Sequence, residues 1–251
     1  MSQRNPLVSV VIPTIPGREV LLRRAKLSVQ KQTYPNIELI VVNRPDLNAP
    51  QSRNIGIRSS KGKYIAFLDD DDEWDATKIA AQVEYMEANP ECGLCICWSW
   101  DERFGMTRVS KPISDPTFTD LIKSFNLSST SSYLIRRRFS VTHRVVACPM
   151  FDETLSSGQE YDLALRISLY SKIHTIPRIM MKQYGTPGQI STNWLKKIRG
   201  QFQFAHKWGN YFDVKSYIKT LGLISLFAMG YIVGNKIYEI ITIAKEIYEN
   251  G

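Results

Sequence analysis

The stretch Gly62-Lys63-Tyr64-Ile65-Ala66-Phe67-Leu68-Asp69-Asp70-Asp71-Asp72 decides how this chain is read. Tyr64 to Leu68 is a short apolar run of the kind that forms a buried strand, and it ends in four adjacent carboxylates. Four such groups are not a packing feature, because two like charges about 4 Å apart repel by roughly 4 kcal/mol at the effective dielectric of a protein surface. Something positive must compensate them. In an extended segment alternate side chains share a face, which would put Asp69 and Asp71 on one side and Asp70 and Asp72 on the other. Two carboxylates on one face suit Mg²⁺ or Mn²⁺, which take one or two protein carboxylates together with substrate phosphate oxygens. The position is equally telling, since open α/β sheets bind ligands in the crevice at the carboxyl ends of their strands. The plainer alternative is a solvated acidic turn that caps the next helix.

Outward from this segment, the first hundred residues alternate between two patterns. Val8 to Ile12 and Ile37 to Val42 are further apolar runs rich in branched side chains, bounded by Pro, Gly or charged residues as buried parallel strands are. Between them, Leu21, Ala25 and Ser28-Val29, and then Gln51 to Ser59, carry helical spacing. A third helix is predicted to start at Asp75 as its N-cap, with Ile79, Ala80, Val83 and Met86 turned inward and Pro90 just beyond its end. Gly93 to Trp100 reads as another buried strand. This alternation predicts an α/β fold with a mostly parallel, Rossmann-like sheet covered by helices on both faces. The section from Asp101 to Ser157 is less regular, with a Ser/Thr-rich stretch at Ser128 to Ser132, a strand-like Tyr133 to Ile135 and the basic Arg136 to Arg138. A helix is expected from about Gly158 to Tyr170, followed by an exposed turn at Gly185 to Ser191.

These patterns divide the chain into a catalytic domain at 1–191 and a helical C-terminal extension at 192–251. Leu221 to Gly234 is almost wholly apolar, but the run is shorter than the ~18 to 20 residues that span a bilayer. Lys236 and Glu239 argue further against a span. The flanking Lys215, Lys219, Lys236 and Lys245, with Tyr217, Tyr231, Tyr238 and Tyr248, suit a helix lying in an anionic membrane interface. The alternative is a helical hairpin packed on the catalytic domain or on a second copy of the chain.

With 251 residues, 43% hydrophobic and 22% charged, the chain has the composition of an ordinary globular protein. Of its four cysteines, Cys92 and Cys95 have the spacing of half a zinc site, but no second pair follows, and burial as small apolar groups is the simpler reading. A reducing compartment follows from that reading. A net charge of +8 leaves nucleic acid, membrane and phosphorylated substrates open, yet no nucleic-acid module is recognisable, so no nucleic-acid partner is expected. Met1 to Pro6 is polar and lacks the apolar core of a signal peptide, so a cytoplasmic protein is expected, peripheral on the cytoplasmic membrane face if the C-terminal segment rests on membrane instead of packing as a hairpin.

Five motifs, taken in order, resemble the family 2 glycosyltransferases of GT-A fold. Val8-Ser9-Val10-Val11-Ile12-Pro13-Thr14 is similar to that family's first strand and nucleotide-binding turn. Gln32-Thr33-Tyr34-Pro35-Asn36 leading into Ile37 to Val42 is similar to its entry into the second strand. Ser52-Arg53-Asn54-Ile55-Gly56 resembles its Ala-Arg-Asn-x-Gly segment, and Asp69 to Asp72 its Asp-x-Asp block. Phe151-Asp152-Glu153, followed by Gly158-Gln159-Glu160-Tyr161-Asp162-Leu163, resembles the segment that carries the catalytic base. The resemblance implies a nucleotide pocket built by Pro13, Thr14, Asn43, Arg53, Asp69 and Asp70, with Thr14 and Arg53 against the base and ribose. It implies a Mn²⁺ or Mg²⁺ ion on Asp71 with Asp69 beside it, and Glu160 as the general base that deprotonates an acceptor hydroxyl. The implied reaction is inverting transfer of a sugar from a nucleotide-diphosphate sugar, most simply a UDP-sugar, to a glycan or lipid-linked acceptor.

Three positions depart from the family pattern. The second strand ends in Asn43 where an Asp usually holds the nucleobase, and an amide offers both donors and an acceptor. Glu160 stands where Asp is common. The loop from Gln183 to Ser191 lacks a His, since the three histidines are His143, His174 and His206. Two other functions compete. A sugar nucleotidyltransferase would need a longer, more Gly-rich loop than Ile15-Pro16-Gly17-Arg18, and a non-catalytic nucleotide-sugar-binding protein would keep the fold without turnover.

Overall fold

The computed structural model describes residues 5–102, 107–124, 127–141, 144–185, 194–213, 218, 221–222 and 224–225. It divides into two compact units, Met1–Glu153 with Gln159–Pro187, and Thr154–Gly158 with Gly188–Gly251.

The first unit runs β1 (Val8–Thr14), α1 (Glu19–Gln30), β2 (Ile37–Asn43), α2 (Ala49–Ser59), β3 (Tyr64–Phe67), β4 (Glu73–Trp74), α3 (Lys78–Ala88), β5 (Cys92–Glu102), β6 (Arg108–Ser110), α4 (Phe118–Ser124), β7 (Leu134–Arg136), β8 (Arg138–Val141), β9 (Arg144–Ala147), α5 (Gln159–Ser168) and β10 (Lys172–Tyr184). The main sheet has the order β2-β1-β3-β7-β5-β10-β4, with β6 beside β5, and β8 and β9 form a separate hairpin. β1 is parallel to β2 and β3, and β5 is parallel to β10. β7 lies antiparallel between β3 and β5, and β4 is antiparallel to β10. The expected α/β class with a mostly parallel sheet is what forms.

Burial explains why the strands were legible. All seven residues of β1 and all four of β3 are buried, as continuous apolar strands covered on both faces should be. α2 lies close upon β1: a Cβ added at Gly56 would stand 2.2 Å from Val11 Cγ1, so only glycine permits this approach. α2 starts two residues before the expected Gln51. Asn48 caps it, Gln51 closes a reciprocal capping box, and Pro50 sits in its first turn.

α3 starts later than predicted, at Lys78 instead of next to Asp75. The backbone N–H of Asp75 still donates to the Met180 carbonyl of β10 (2.9 Å), so the chain is held to the sheet at that point. The Asp75 carboxylate instead accepts from the backbone N–H and hydroxyl of Thr77, a local turn ahead of the helix. Ile79, Val83 and Met86 face the core as expected, and Ala80 packs against it partly buried. Lys78 is fully buried beside them. Its ammonium donates to Gln82 Oε1 (2.7 Å) and lies 4.2 Å from the Trp74 ring centroid, and burial pushes its pKa down to about 8. Gln82 in turn donates to the carbonyls of Cys95 and Ser132, which ties α3 to β5 and to the Ser/Thr-rich stretch.

All four cysteines are free and buried. Burial pushes the Cys92 and Cys148 thiols up to about 12 and Cys97 up to about 11, so they pack as neutral apolar groups. His174 stacks on Tyr85 and pairs with Asp115, and His206 is exposed. His143 lies outside the described residues.

The second unit is organised by α6 (Trp194–Trp208). The Gln203 amide donates to the Thr154 carbonyl and accepts from the Ser156 N–H, and Gly200 approaches Ser157 closely. Phe204 and Trp208 are buried, whereas Leu195 and Phe202 are more than half exposed. Among the described residues no helix is long and apolar enough to cross a membrane. Most of the apolar segment after Lys215, and most of the Gly185 to Ser191 turn, lie outside the described residues.

Candidate active site

The register brings the site together. Thr14 of β1 lies level with Asn43 of β2, and Val11 lies level with Phe67 of β3, so all three strands end at one edge. Beyond Phe67 the backbone turns, with the Asp72 N–H donating to the Asp69 carbonyl (3.0 Å). The acidic run is therefore a tight turn, not the extended segment expected from the sequence, and the alternation of faces fails. Asp70 and Asp71 share one partner, while Asp69 and Asp72 each have another.

That shared partner is Arg18. Its guanidinium donates to both oxygens of Asp70 (2.7–3.0 Å) and to Asp71 Oδ2 (2.9 Å). The hydrogen bonds to Asp70 outweigh partial burial and raise the Arg18 pKa above its ordinary value. Thr14 Oγ1 also donates to Asp70 Oδ2 (2.6 Å). Gly17, at φ +85°, makes the turn that delivers Arg18. Arg18 occupies the N-cap position of α1, where a cation opposes the helix dipole, so its placement serves the acidic turn and not the helix. Arg24, one and a half turns further along α1, donates to the Asp71 carbonyl and lies 3.8 Å over the Tyr184 ring.

Arg53, 6% exposed on α2, pairs with Asp69 and lies 5.5 Å from the Phe151 ring centroid. Its neighbour Asn54 donates to the Phe151 carbonyl and to Glu153 and accepts from the Phe151 N–H, locking α2 to the Phe-Asp-Glu motif. Burial works against the Arg53 charge, yet the carboxylates of Asp69, Glu160 and Asp72 overcome it and raise its pKa. Glu160 thus acts on the same guanidinium as the acidic turn, from about ninety residues away in the chain. The turn itself is braced by Ser131, whose hydroxyl donates to Asp72 and accepts from the Asp69 N–H, and whose carbonyl accepts from Trp74 Nε1.

Glu160 stands in the first turn of α5, as predicted. The Tyr133 hydroxyl donates to its carbonyl (3.1 Å) and fixes that turn. Asp162 points elsewhere, as the helix geometry requires: it is fully buried and paired with Arg166. Pro13 is buried within β1, and Asn43 is exposed at the end of β2, with its neighbour Arg44 held by Asp46. Thr14, Arg53, Asp69, Asp70 and Asp71 therefore meet at one edge, with Asn43 at its rim.

The donor set is suited to a hard divalent cation. It is wholly oxygen, and three carboxylates, Asp69, Asp70 and Asp71, meet two guanidinium groups, those of Arg18 and Arg53. Among the described residues no three His, Cys, Asp or Glu side chains are arranged to hold a metal by themselves. Mg²⁺ and Mn²⁺ sites that share a phosphate ligand need only one or two carboxylates, so the residues fit that type of site.

Sequence reasoning missed Arg18, Arg24 and Ser131. Arg18 had a signal in the sequence, a cation just before a helix and after a Gly turn. Arg24 and Ser131 had none, because their partners lie 47 and 59 residues away.

Comparison with known proteins bears on this arrangement. The model of "Glycosyl transferase family 2" matches residues 46–155, which span α2, the acidic turn and the Phe-Asp-Glu motif. WcaA of Escherichia coli K12, a glycosyl transferase assigned to colanic acid biosynthesis, is 28% identical over 90% of this chain and 88% of its own. WfaP of Escherichia coli, a UDP-Glc:α-D-GlcNAc-diphosphoundecaprenol β-1,3-glucosyltransferase, is 25% identical over 52% of this chain and 61% of its own. The mannosyltransferase PcManGT of Pyrobaculum calidifontis, solved with GDP-Man and Mn²⁺, superposes with a TM-score of 0.60 at 13% identity. That likeness covers 93% of this chain and 76% of the other, and it establishes the GT-A fold. The family match over residues 46–155, the fold and the ordered motifs together make this chain similar to the family 2 glycosyltransferases.

Proposed function

We propose that the protein is an inverting glycosyltransferase that moves a sugar from a nucleotide-diphosphate sugar to an acceptor hydroxyl, with a divalent cation at the acidic turn. The observation that carries this reading is the buried Arg53, on which Asp69 and Glu160 converge. It joins the donor side of the proposed site to the proposed base. Asp71, with Asp69 beside it, would hold Mn²⁺ or Mg²⁺. When bound, the cation neutralises the departing diphosphate as a Lewis acid.

The chain's own groups have separable tasks. Arg18 is a counter-charge: it neutralises Asp70 and Asp71, and it would meet the phosphates of a nucleotide-sugar held at the acidic turn. Thr14, Arg53 and Asn43 line the edge against the nucleoside. Glu160 removes the proton from the acceptor hydroxyl; its place in the first turn of α5 favours the ionised carboxylate that a base requires. Direct displacement at the anomeric carbon then inverts configuration without a covalent intermediate.

WfaP is named for a UDP-sugar and PcManGT was solved with GDP-Man, so both nucleotides are candidates. The amide of Asn43 is compatible with either base. A lipid-linked acceptor is favoured by the acceptor in the name of WfaP and by the second unit. There α6 exposes Leu195 and Phe202 with Arg199 and His206 on one face, the pattern of a helix that rests on an anionic membrane. The C-terminal extension proposed from residue 192 would carry this surface, which lies in the second unit of the fold.

A thermal-shift panel of UDP, GDP, UDP-sugars and GDP-mannose with and without Mn²⁺ tests the reading, because ligands that bind the folded state raise its apparent stability. The expected result is a nucleotide shift that Mn²⁺ enlarges and that Asp71→Ala removes. A Mn²⁺-dependent shift undiminished in Asp71→Ala would count against the metal assignment.

A further inference from the structure

The main sheet ends on β2, and among the described residues no strand lies on its outer side. Two hydrogen bonds to β1 fix the direction of its backbone groups. The Val8 N–H donates to the Asn36 carbonyl, and the Arg44 N–H donates to the Thr14 carbonyl. Backbone groups alternate along a strand, so those of the even-numbered residues face β1. The N–H and C=O groups of Ile37, Leu39, Val41 and Asn43 therefore point outward. Natural sheet edges are commonly blunted by Lys, Pro or a bulge, and this one is not. Ile37–Asn43 pairs with β1 in unbroken register and contains neither Lys nor Pro. Its one charge, Glu38, already accepts from the Ser9 hydroxyl and the Lys61 N–H. Val41 is 37% exposed, and Ile37, Leu39 and Ile40 are half-buried.

This edge is complementary to itself. Antiparallel pairing of two copies about a two-fold axis at Ile40 sets Leu39 opposite Val41 and Ile37 opposite Asn43. These are the residues whose groups point outward, so each pair exchanges both its N–H and its C=O. Glu38 falls opposite Val42, so no like charges meet, whereas a strongly charged foreign strand would find no opposite charge along this edge. The axis stands perpendicular to the sheet and brings α2 of both copies to one face. α2 lies over β1 and β2 alike, about one strand spacing from the seam. The two α2 axes then stand roughly 10 Å apart, within the range of about 8–10 Å at which helices pack. The half-buried Ile55 and the exposed Ser59 lie on the flank of α2 turned away from Asn54 and its bond to Phe151, and they meet across the seam. A strand pair with one helix contact makes an interface near the ~1,200 Å² lower limit of stable complexes, so a dimer that forms at micromolar concentration is expected.

We infer that β2 is the seam of a symmetric homodimer in which the sheets of two copies join into one. The two β2 strands run antiparallel, so the two acidic turns open toward opposite ends of the joined sheet. α2, which carries Arg53, is braced by its counterpart in the second copy. The inference does not depend on the proposed reaction.

Sedimentation velocity of the full chain, from nanomolar to high micromolar concentration, tests this. The native protein is expected to pass from monomer to dimer. Val41→Lys sets two ammonium groups in the seam, and Val41→Pro removes an outward N–H that β1 does not use. Each should raise the dimer dissociation constant by about tenfold or more, with the melting temperature as the check on folding. Residue-resolved hydrogen exchange on the native protein gives a reading that needs no variant, and it decides the matter should either variant unfold. The N–H groups of Leu39 and Val41 should be protected in concentrated protein and exchange in dilute protein, while those of Ile40 and Val42, which face β1, stay protected in both. A chain that remains monomeric throughout overturns the inference. So does a dimer unchanged in either folded variant, or equal exchange of Leu39 and Val41 at the two concentrations.

Discussion

Lys78 offers a stability prediction whose size follows from the structure. It is fully buried, hydrogen-bonded to Gln82 and stacked over Trp74, and burial lowers its pKa from 10.5 to about 8. Between pH 8 and 10.5 the unfolded chain holds this proton and the folded chain does not. Stability therefore rises with pH across that window, because the unfolded state binds more protons. At pH 7 the folded protein carries a buried ammonium that costs about 3 kcal/mol relative to the unfolded chain, at 1.36 kcal/mol per pKa unit. By pH 9.5 about 2 kcal/mol of that cost is relieved. Lys78→Met removes the titration but leaves Gln82 Oε1 without its donor, a loss of about 1–3 kcal/mol that does not depend on pH. The informative quantity is thus the difference between native and variant stability at two pH values, which cancels every other titrating group. Urea denaturation at pH 7 and pH 9.5 should show the native protein gaining about 2 kcal/mol on the variant. A difference that stays constant, or moves the other way, would refute the claim that Lys78 is buried as a charged group.

Two further substitutions probe the scaffold of the site. Gly56→Ala should destabilise by about 1–2 kcal/mol, the overpacking cost less the gain in helix propensity, since its Cβ would meet Val11 at 2.2 Å. It should also weaken nucleotide binding, because α2 carries Arg53; a raised melting temperature would contradict the close contact. Arg18→Ala should cost about 2 kcal/mol, below the range for a fully buried pair because Arg18 is partly exposed. Mn²⁺ should then raise the melting temperature of Arg18→Ala by more than that of the native protein, since the cation takes over the lost counter-charge. An equal Mn²⁺ shift in both would argue that Arg18 and the metal do not share the acidic turn.

Much of the fold was legible because local and tertiary demands agree. Val8 to Thr14 and Tyr64 to Phe67 are apolar on both faces because both faces are covered, and Asn48, Pro50 and Gln51 announce α2 by local chemistry. The errors arose where a distant strand intervened. Asp75 is a good helix cap in isolation, but its N–H is held by Met180 of β10, more than a hundred residues away. The four aspartates read as extended because Tyr64 to Phe67 is extended, yet pairing of Glu73 and Trp74 with β10 forces the chain to turn between the two strands. Of the site, Glu160 and Arg53 were visible through their motifs. Their electrostatic connection was not, since it depends on how α2 and α5 meet the sheet.

The central claim is that Glu160 performs the chemistry while the acidic turn holds the donor, and these tasks can be separated in one measurement. Single-turnover cleavage of the nucleotide-sugar that binds best, with Mn²⁺ and acceptor, should be compared for the native protein and Glu160→Gln, with donor affinity measured on the same samples. The account predicts a fall in rate of about 10²- to 10⁴-fold, the usual contribution of a positioned base, with donor affinity unchanged. An unaltered rate, or a loss explained entirely by weaker donor binding, would contradict it.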